Sequence, residues 1–321
     1  MSSTQTSAGR HAASPAEMPA AGWKDVLMRV KDRFDEHSVT LVAAGITFYI
    51  LLALFPAITA LVAIYGLVAD PQTIQAQLSN LEGIVPAGAL GIIHSQLERL
   101  TSQTESSLSI AFAVSILLSI YSSTKGVKAL FKAMNIAYQE KDERGFIKQN
   151  LISMAFVVAS IVLVILAIVT LVVIPSVLSL LPLPAGVTIL VLVVPPLVLA
   201  LLAMAWIAGL FRFGPHRRSP TFKWLTPGAV LTILGWVIAS IAFSFYASNV
   251  KNFDATYGSM ASIIVFLMWT WIMMIILLAG AELNAQLEHQ TAEDTTVGEE
   301  REPGDRKAEL ADQIAALRNR D

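Results

Sequence analysis

Residues Ser259–Ala281 have the sequence SMASIIVFLMWTWIMMIILLAGA and contain no charged side chain. This length meets the ~20 apolar residues that a helix needs to cross the hydrocarbon core of a bilayer. Only a helix pairs every backbone polar group within such a segment, because lipid offers no hydrogen-bond partner. The stretch therefore predicts a transmembrane helix.

Five further apolar runs precede this one, and the second of them is the shortest. They are Leu41–Val68, Leu108–Thr124, Leu151–Ile174, Val187–Phe211 and Ala229–Ala247. None shows the ~10-residue alternation of an outer-membrane barrel strand. We predict an all-α integral membrane protein with a six-transmembrane-helix bundle over residues 23–290. A disordered tail is expected over residues 1–22, and a flexible acidic cytoplasmic tail over residues 291–321.

The composition supports a membrane protein and excludes several kinds of site. Of the 321 residues, 55% are hydrophobic and 14% are charged, against ~25% charged in an ordinary soluble domain. The net charge of −2 provides no global basic excess for a nucleic-acid backbone. The chain has no cysteine, and its five histidines lack the i, i+4 spacing of a helical metal site. We predict no metal, no cofactor and no nucleic-acid partner.

The distribution of Lys and Arg predicts the orientation. Of the 22 cationic residues, 20 lie in the N-terminal segment, the second and fourth connections and the C-terminal tail, and only Arg99 and Lys251 lie on the other side. Cytoplasmic loops carry the excess of Lys and Arg. We therefore expect a multi-pass protein of the bacterial inner membrane with both termini in the cytoplasm.

Two segments outside the spans have amphipathic patterns. Asp70–Ser107 has apolar residues at helical spacing on both sides of a Pro-Ala-Gly turn, which predicts an external amphipathic helical hairpin. Gly126–Tyr138 has an apolar face opposite Lys125, Lys128 and Lys132. This pattern predicts a cytoplasmic interfacial helix that contacts anionic lipid, and a solute-binding role is the alternative.

Ionisable side chains near the ends of spans are the candidates for gating or coupling. Glu282 directly follows the last run and precedes Asn284, so a carboxylate and an amide lie beside the small residues Gly280-Ala281. Glu282 can pair with Lys125 or Arg212 of a neighbouring span. One interpretation is a structural tie between helices; the other is a gate or a proton- or cation-coupling carboxylate. We include Lys125 and Arg144 with Glu282 and Asn284 in this group.

Prolines and aromatic residues are the candidates for a transport pathway. Pro56 lies midway along the first run, and Pro195-Pro196 are predicted to interrupt the fourth. Broken helices expose backbone dipoles to a solute in transporters, although prolines are also frequent in ordinary membrane helices. Tyr257 and Trp269 complete this group.

The sequence lacks the motifs of the common hydrolase classes. It has no G-x-S-x-G, no phosphate-binding Gly-Lys-Ser/Thr loop, no H-E-x-x-H and no cluster of Asp residues for two-metal chemistry. We therefore predict no catalytic residue and no enzymatic activity.

A set of motifs over residues 34–288 resembles the YihY/BrkB family of bacterial inner-membrane proteins. The motifs are Ala43-Ala44-Gly45-Ile46-Thr47-Phe48-Tyr49, Leu54-Phe55-Pro56, Ser122-Ser123-Thr124-Lys125-Gly126, Asn135-Ile136-Ala137-Tyr138, Arg144-Gly145-Phe146, Pro227-Gly228, Tyr246-Ala247-Ser248-Asn249, Ala255-Thr256-Tyr257-Gly258-Ser259 and Leu278-Ala279-Gly280-Ala281-Glu282-Leu283-Asn284. The family has been named for a ribonuclease and for serum resistance. The resemblance implies a six-span envelope protein that transports or exports a solute or lipid.

Three functions follow from these observations. The first is a transporter or exporter of an unknown small solute or lipid. The second is a non-catalytic envelope-assembly or partner-binding protein that docks through the outer hairpin. The third, a membrane-bound ribonuclease, is disfavoured because no metal-binding carboxylates or His pair are evident. Assembly as a homo-oligomer is left open.

The predicted orientation can be tested with single cysteines, because the chain contains none. Ala89→Cys should be labelled by an impermeant thiol reagent from outside intact spheroplasts. Asp142→Cys should be labelled only after the membrane is opened. The reverse pattern would overturn the predicted topology.

Overall fold

The computed structural model describes residues 9–66, 105–170, 174, 184–249 and 260–315. These residues form helices and no strand, apart from an isolated β-bridge between Pro220 and Thr296. A short 3-10 helix, Pro15–Glu17, comes first. The α-helices are α1 (Ala20–Glu36), α2 (Val39–Gly66), α3 (Glu105–Ala137), α4 (Phe146–Ile168), α5 (Ala185–Phe213), α6 (Phe222–Asn249), α7 (Ala261–Gln290) and α8 (Glu309–Asp312).

Each of the six predicted runs overlaps one of the helices α2 to α7. Among the described residues, four helices are long and apolar enough to cross a membrane, at Phe146–Ala167, Ile189–Phe213, Phe222–Tyr246 and Ile263–Gln290. Helix α1 and residues Val39–Leu54, bent by 62° at the break between them, make a fifth candidate if they count as one span. The protein is therefore a helical membrane protein with four or five candidate spans in this part of the chain.

The predicted interfacial helix is not a separate helix. Helix α3 runs without a break for 33 residues and includes both the second apolar run and Gly126–Ala137. Lysine is a good helix former and one glycine costs only about 1 kcal/mol, so nothing at Lys125-Gly126 ends the helix. The apolar face continues as well, since Val127, Leu130, Phe131 and Met134 are all buried.

The predicted interruption at Pro195-Pro196 is wrong. Helix α5 is continuous through both prolines, from Ala185 to Phe213, and α2 is likewise continuous through Pro56. A proline removes one backbone N–H, but apolar surroundings give the neighbouring peptide groups no other partner, so the helix persists on both sides.

The last helix extends nine residues beyond the predicted span. Ser259–Ala281 was expected to end before Glu282, whereas α7 continues to Gln290. The sequence becomes polar at Glu282, but those side chains are buried and bonded to other elements, so the change in polarity does not end the helix.

Several predicted segments lie outside the described residues. Only the last three residues of the hairpin Asp70–Ser107 are described, where they begin α3, and Tyr257 falls in an undescribed stretch. The described parts of the two predicted tails contain buried residues, among them Met18, Thr291, Arg306 and Leu310. Their flexibility in solution stays a prediction.

The chain divides into two compact units. The first comprises Met1–Val42, Val127–Val237 and Ile275–Asp321, and the second comprises Ala43–Gly126 and Ile238–Met274. In the second unit Ala43, Ile46, Ala261 and Met273 are buried, and the indole N–H of Trp269 lies 3.4 Å from the Ser240 hydroxyl.

In the first unit α1 packs against the end of α7. Val26 of α1 lies in one buried cluster with Leu283 and Leu287 of α7 and with Met18 and Trp224. Helix α4 packs against α5, where the rings of Phe156 and Trp206 meet edge to face at 6.0 Å. Burial of these apolar groups brings the polar residues between them out of solvent.

Two glycines let α6 and α7 approach closely in the first unit. A Cβ atom on Gly228 would overlap the carbonyl oxygen of Gly280 and the Asn284 amide, and one on Gly280 would overlap the Thr232 hydroxyl. Small residues at such crossings are the usual means of close backbone contact between membrane helices.

Gly228→Ala should therefore destabilise the protein by about 1–3 kcal/mol, the usual cost of overpacking. Gly45→Ala is the matched control, because a Cβ there meets nothing within 4 Å. Thermal unfolding of the purified protein in detergent measures both. Equal unfolding temperatures for the two variants would contradict the close crossing.

Candidate functional site

The last nine residues of α7, 282–290, form a polar segment that is buried. Glu282, Asn284, Gln286, Glu288 and Gln290 are each at most 3% exposed. Every second residue is polar, but a helix has 3.6 residues per turn, so these side chains divide between two faces. Glu282 and Gln286 lie on one face, and Asn284 and Glu288 lie on another.

Glu282 is paired with His37. Its Oε1 lies 2.6 Å from Nδ1 of His37, and the two side chains are 2% and 11% exposed respectively. His37 lies between α1 and α2, next to Ser38, which has a positive φ of 49°. The pair therefore fixes the position of the α1–α2 junction against α7.

The second oxygen of Glu282, Oε2, is buried without a hydrogen-bond partner among the described residues. Glu282 and His37 border a small cavity of about 10 Å³, whose other lining residues are apolar: Val39, Val42, Ala133, Ile136, Ala137 and Leu278. This space is at the lower limit for one water molecule. The described residues thus satisfy only one of the two oxygens of Glu282.

Arg29 of α1 makes a second tie to the same face of α7. Its Nε donates to Oε1 of Gln286 at 3.2 Å, and its Nη2 donates to the Gln290 side chain. Helix α1 therefore holds α7 at two levels, through Arg29 and through His37.

A buried ion pair holds the other face. Both terminal nitrogens of Arg217 donate to the two oxygens of Glu288 at 2.7 Å, and both side chains are 0% exposed. The Thr295 hydroxyl donates to Glu288 at 3.0 Å, and the guanidinium lies 4.1 Å from the centre of the Tyr138 ring. Burial, followed by the nearby Glu288 carboxylate, raises the pKa of Tyr138 far above its usual value, so this ring stays neutral.

Asn284 ties α7 to the backbone of α6. Its side-chain oxygen accepts from the N–H of Gly228 at 2.7 Å, and its amide donates to the carbonyl of Leu225 at 3.1 Å. These contacts lie on both sides of Pro227, which has no N–H of its own. Asn284 thus has a structural role at the helix crossing.

The remaining candidates from the sequence have other surroundings. Arg144 donates to Asp142 at 2.7 Å and to the carbonyl of Phe213 at 2.9 Å, which caps the end of α5. Burial alone would raise the pKa of Asp142, but the hydrogen bonds from Arg144 outweigh it and hold this pKa below its usual value. Because folding lowers the pKa of Asp142, the pair makes its full contribution to stability above the ordinary Asp pKa. That contribution is lost as the pH falls through the lowered pKa of the folded protein.

The two cations expected near Glu282 have aromatic neighbours. Lys125 is exposed, with its Nζ 5.2 Å from the Tyr121 ring centre. The guanidinium of Arg212 lies 4.5 Å from the Phe222 ring centre. Trp269 lies in the second unit and is 38% exposed. The residue that pairs with Glu282 is His37.

Sequence reasoning missed His37, Arg29, Gln286, Glu288 and Arg217. The available signal was the alternation AELNAQLEHQ at residues 281–290, which is too polar for a lipid-facing helix and too regular for a loop. Its i, i+4 pairs would have indicated a helix with two polar faces. The partners on α1 and on the α5–α6 connection carried no comparable signal. Among the described residues, no group of three His, Asp or Glu side chains could hold a metal ion.

Arg217→Met should destabilise the protein by about 3–5 kcal/mol, because it leaves the buried Glu288 carboxylate without its cation. The double variant Arg217→Met/Glu288→Leu should recover much of that loss, since neither charge then remains. Thermal unfolding in detergent measures the stability of wild type, of each single variant and of the double variant. Additive losses in the double variant would argue against a direct pair.

The chain resembles known membrane proteins over most of its length. Residues 30–305 match the family described as Virulence factor BrkB. A protein of Bacillus subtilis named ribonuclease-like protein YfkH is 27% identical over 269 residues, covering 81% of this chain and 94% of that protein. A UPF0761 membrane protein of Chromobacterium violaceum is 32% identical over 83 residues, covering 26% of this chain and 20% of that protein.

A UPF0761 membrane protein of Neisseria meningitidis serogroup B is 26% identical over 287 residues, covering 81% of this chain and 63% of that protein. The chain thus spans less than two thirds of the length of this relative. No solved structure matches the chain. The match to the family includes α2 to α7 and the whole polar segment of α7. With the helical fold and its candidate spans, this match shows that the chain belongs to the BrkB family of membrane proteins.

Proposed function

We propose that the protein is a transporter or exporter of a small solute or lipid in the bacterial inner membrane, with Glu282 as its coupling carboxylate. The observation that carries the proposal is the half-satisfied state of Glu282. One oxygen is paired with His37, and the other is buried beside the cavity without a partner among the described residues.

The position of Glu282 makes this state costly. An ionisable group in a membrane helix is a functional candidate by default, and an unpaired buried polar atom costs about 1–3 kcal/mol. Glu282 lies in the candidate span Ile263–Gln290. A carboxylate needed only as a structural tie would have both oxygens paired, as Glu288 does with Arg217.

The Glu282–His37 pair supports a coupling role rather than a catalytic one. A carboxylate and an imidazole in contact can share a proton. The proton state of the pair sets how strongly the α1–α2 junction is held against α7. Binding of a proton or cation at Glu282 would therefore change the contact between these elements, which is the requirement for coupling.

The proposal includes six spans and cytoplasmic termini. Helices α2 and α3 have 28 and 33 residues. At 1.5 Å per residue both exceed the ~30 Å hydrocarbon core, so we count them as spans beside α4 to α7. The orientation follows from the 20 of 22 cations on one side, and Lys125, Lys128 and Lys132 would then contact anionic lipid at the cytoplasmic face. We propose no enzymatic role.

The function test compares metabolites and lipids of cells that lack the protein with those of cells that express each variant. Wild type should change the profile, and Glu282→Gln should leave it as in cells without the protein, since the amide cannot ionise. Glu300→Gln is the matched control, because Glu300 is exposed in the tail. A Glu282→Gln profile identical to that of wild type, at equal membrane abundance, would refute Glu282 as the coupling residue.

A further inference from the structure

Three buried polar atoms on one face of α7 lack hydrogen-bond partners among the described residues. They are Oε2 of Glu282, Nε2 of Gln286 and Nδ1 of His289. Most buried polar atoms in proteins are paired with protein or with ordered water, so an unpaired group of three needs an explanation.

The spacing of these residues suggests what joins them. Positions 282, 286 and 289 are i, i+4 and i+7, which places them in one row along a helix. Four residues advance a helix by about 6 Å, and two hydrogen bonds of about 2.8 Å through one water span nearly that distance. A water between Glu282 and Gln286 can donate to Oε2 and accept from Nε2, so the two atoms are complementary.

The row lies against α1 and has defined walls. Val26 of α1 packs with Leu283 and Leu287 on the apolar side. The charged and titratable groups near the row are Arg29, Arg33 and Glu36 on α1, and His37 directly after it. The row begins at the cavity beside Glu282, and the half-buried His289 reaches solvent at its other end.

We propose that α1 and α7 enclose a hydrated seam, which runs from His289 past Gln286 to Glu282. Its ligand is a file of water molecules, and through it Glu282 exchanges its proton with the solvent. In each exchange, the water at Oε2 gives a proton to the carboxylate and takes one from the next water along the file. The use of this route rests on the coupling role proposed above for Glu282, whereas the presence of water does not.

The seam can be tested with methionine reporters in the full-length protein reconstituted into vesicles. Leu278 lines the cavity and is 4% exposed, whereas its neighbour Leu277 is 0% exposed and does not line it. Leucine to methionine conserves volume, and a brief X-ray pulse makes hydroxyl radicals from bound water that oxidise methionine to its sulfoxide. Leu278→Met should be oxidised severalfold faster than Leu277→Met. Equal rates, read by mass spectrometry, would mean a dry cavity and overturn the proposal.

The route is tested by closing the seam. Gln286→Leu added to Leu278→Met should lower its oxidation to the rate of Leu277→Met, because an apolar side chain interrupts the file. Unchanged oxidation would show that the water arrives by another path and would overturn the seam. If the Gln286→Leu variant does not fold, His289→Leu gives the same test at the solvent end of the seam. None of these oxidation rates depends on a transported solute. A dry seam would therefore overturn this proposal alone, and the metabolite and lipid profile of Glu282→Gln would still decide the proposed function.

Discussion

Buried polar groups in an apolar medium must find partners, and the polar segment of α7 imposes this requirement on its surroundings. Glu282, Asn284, Gln286, Glu288 and Gln290 all lie out of solvent. An unpaired buried polar group costs about 1–3 kcal/mol, and a charged one costs more. Helix α1, the start of α6 and the α5–α6 connection each supply partners, so their positions around α7 follow from this single helix end.

The two faces of the segment meet the requirement to different degrees. On one face Glu288 has both oxygens bonded to Arg217 and Thr295, and removal of one partner would leave a bare charge. Such a fully bonded pair keeps the α5–α6 connection and α7 in a single arrangement. On the other face one oxygen of Glu282, beside a cavity, has no partner in the part of the chain that the structure describes. A partly satisfied group can take up or release a proton or water without dismantling the fold, and this difference is why Glu282 and not Glu288 is proposed as the coupling carboxylate.

The end of α7 is also closed by residues outside the family match. Arg306, 3% exposed, donates to the carbonyl oxygens of Ala292 and Glu293 just beyond α7, where a cation is favoured by the helix dipole. Arg10 donates to the carbonyl of Ala315. Arg10, Arg306 and Ala315 lie outside the matched residues 30–305, so residues beyond the match also pack beside the end of α7.

That the chain is helical and lies in a membrane follows from the sequence alone, because uncharged runs of about 20 residues leave a helix as the only way to pair the backbone. Polar residue types are conspicuous beside an apolar run, so Glu282 and Asn284 could be selected as candidates from the sequence. The continuation of α7 to Gln290 and the unbroken course of α5 through Pro195-Pro196 became visible only in the structure. It alone paired Glu282 with His37 across 245 positions of sequence. Hydropathy and helical periodicity are local properties, whereas the partner of a buried charge depends on which distant residues the packing of apolar faces brings beside it.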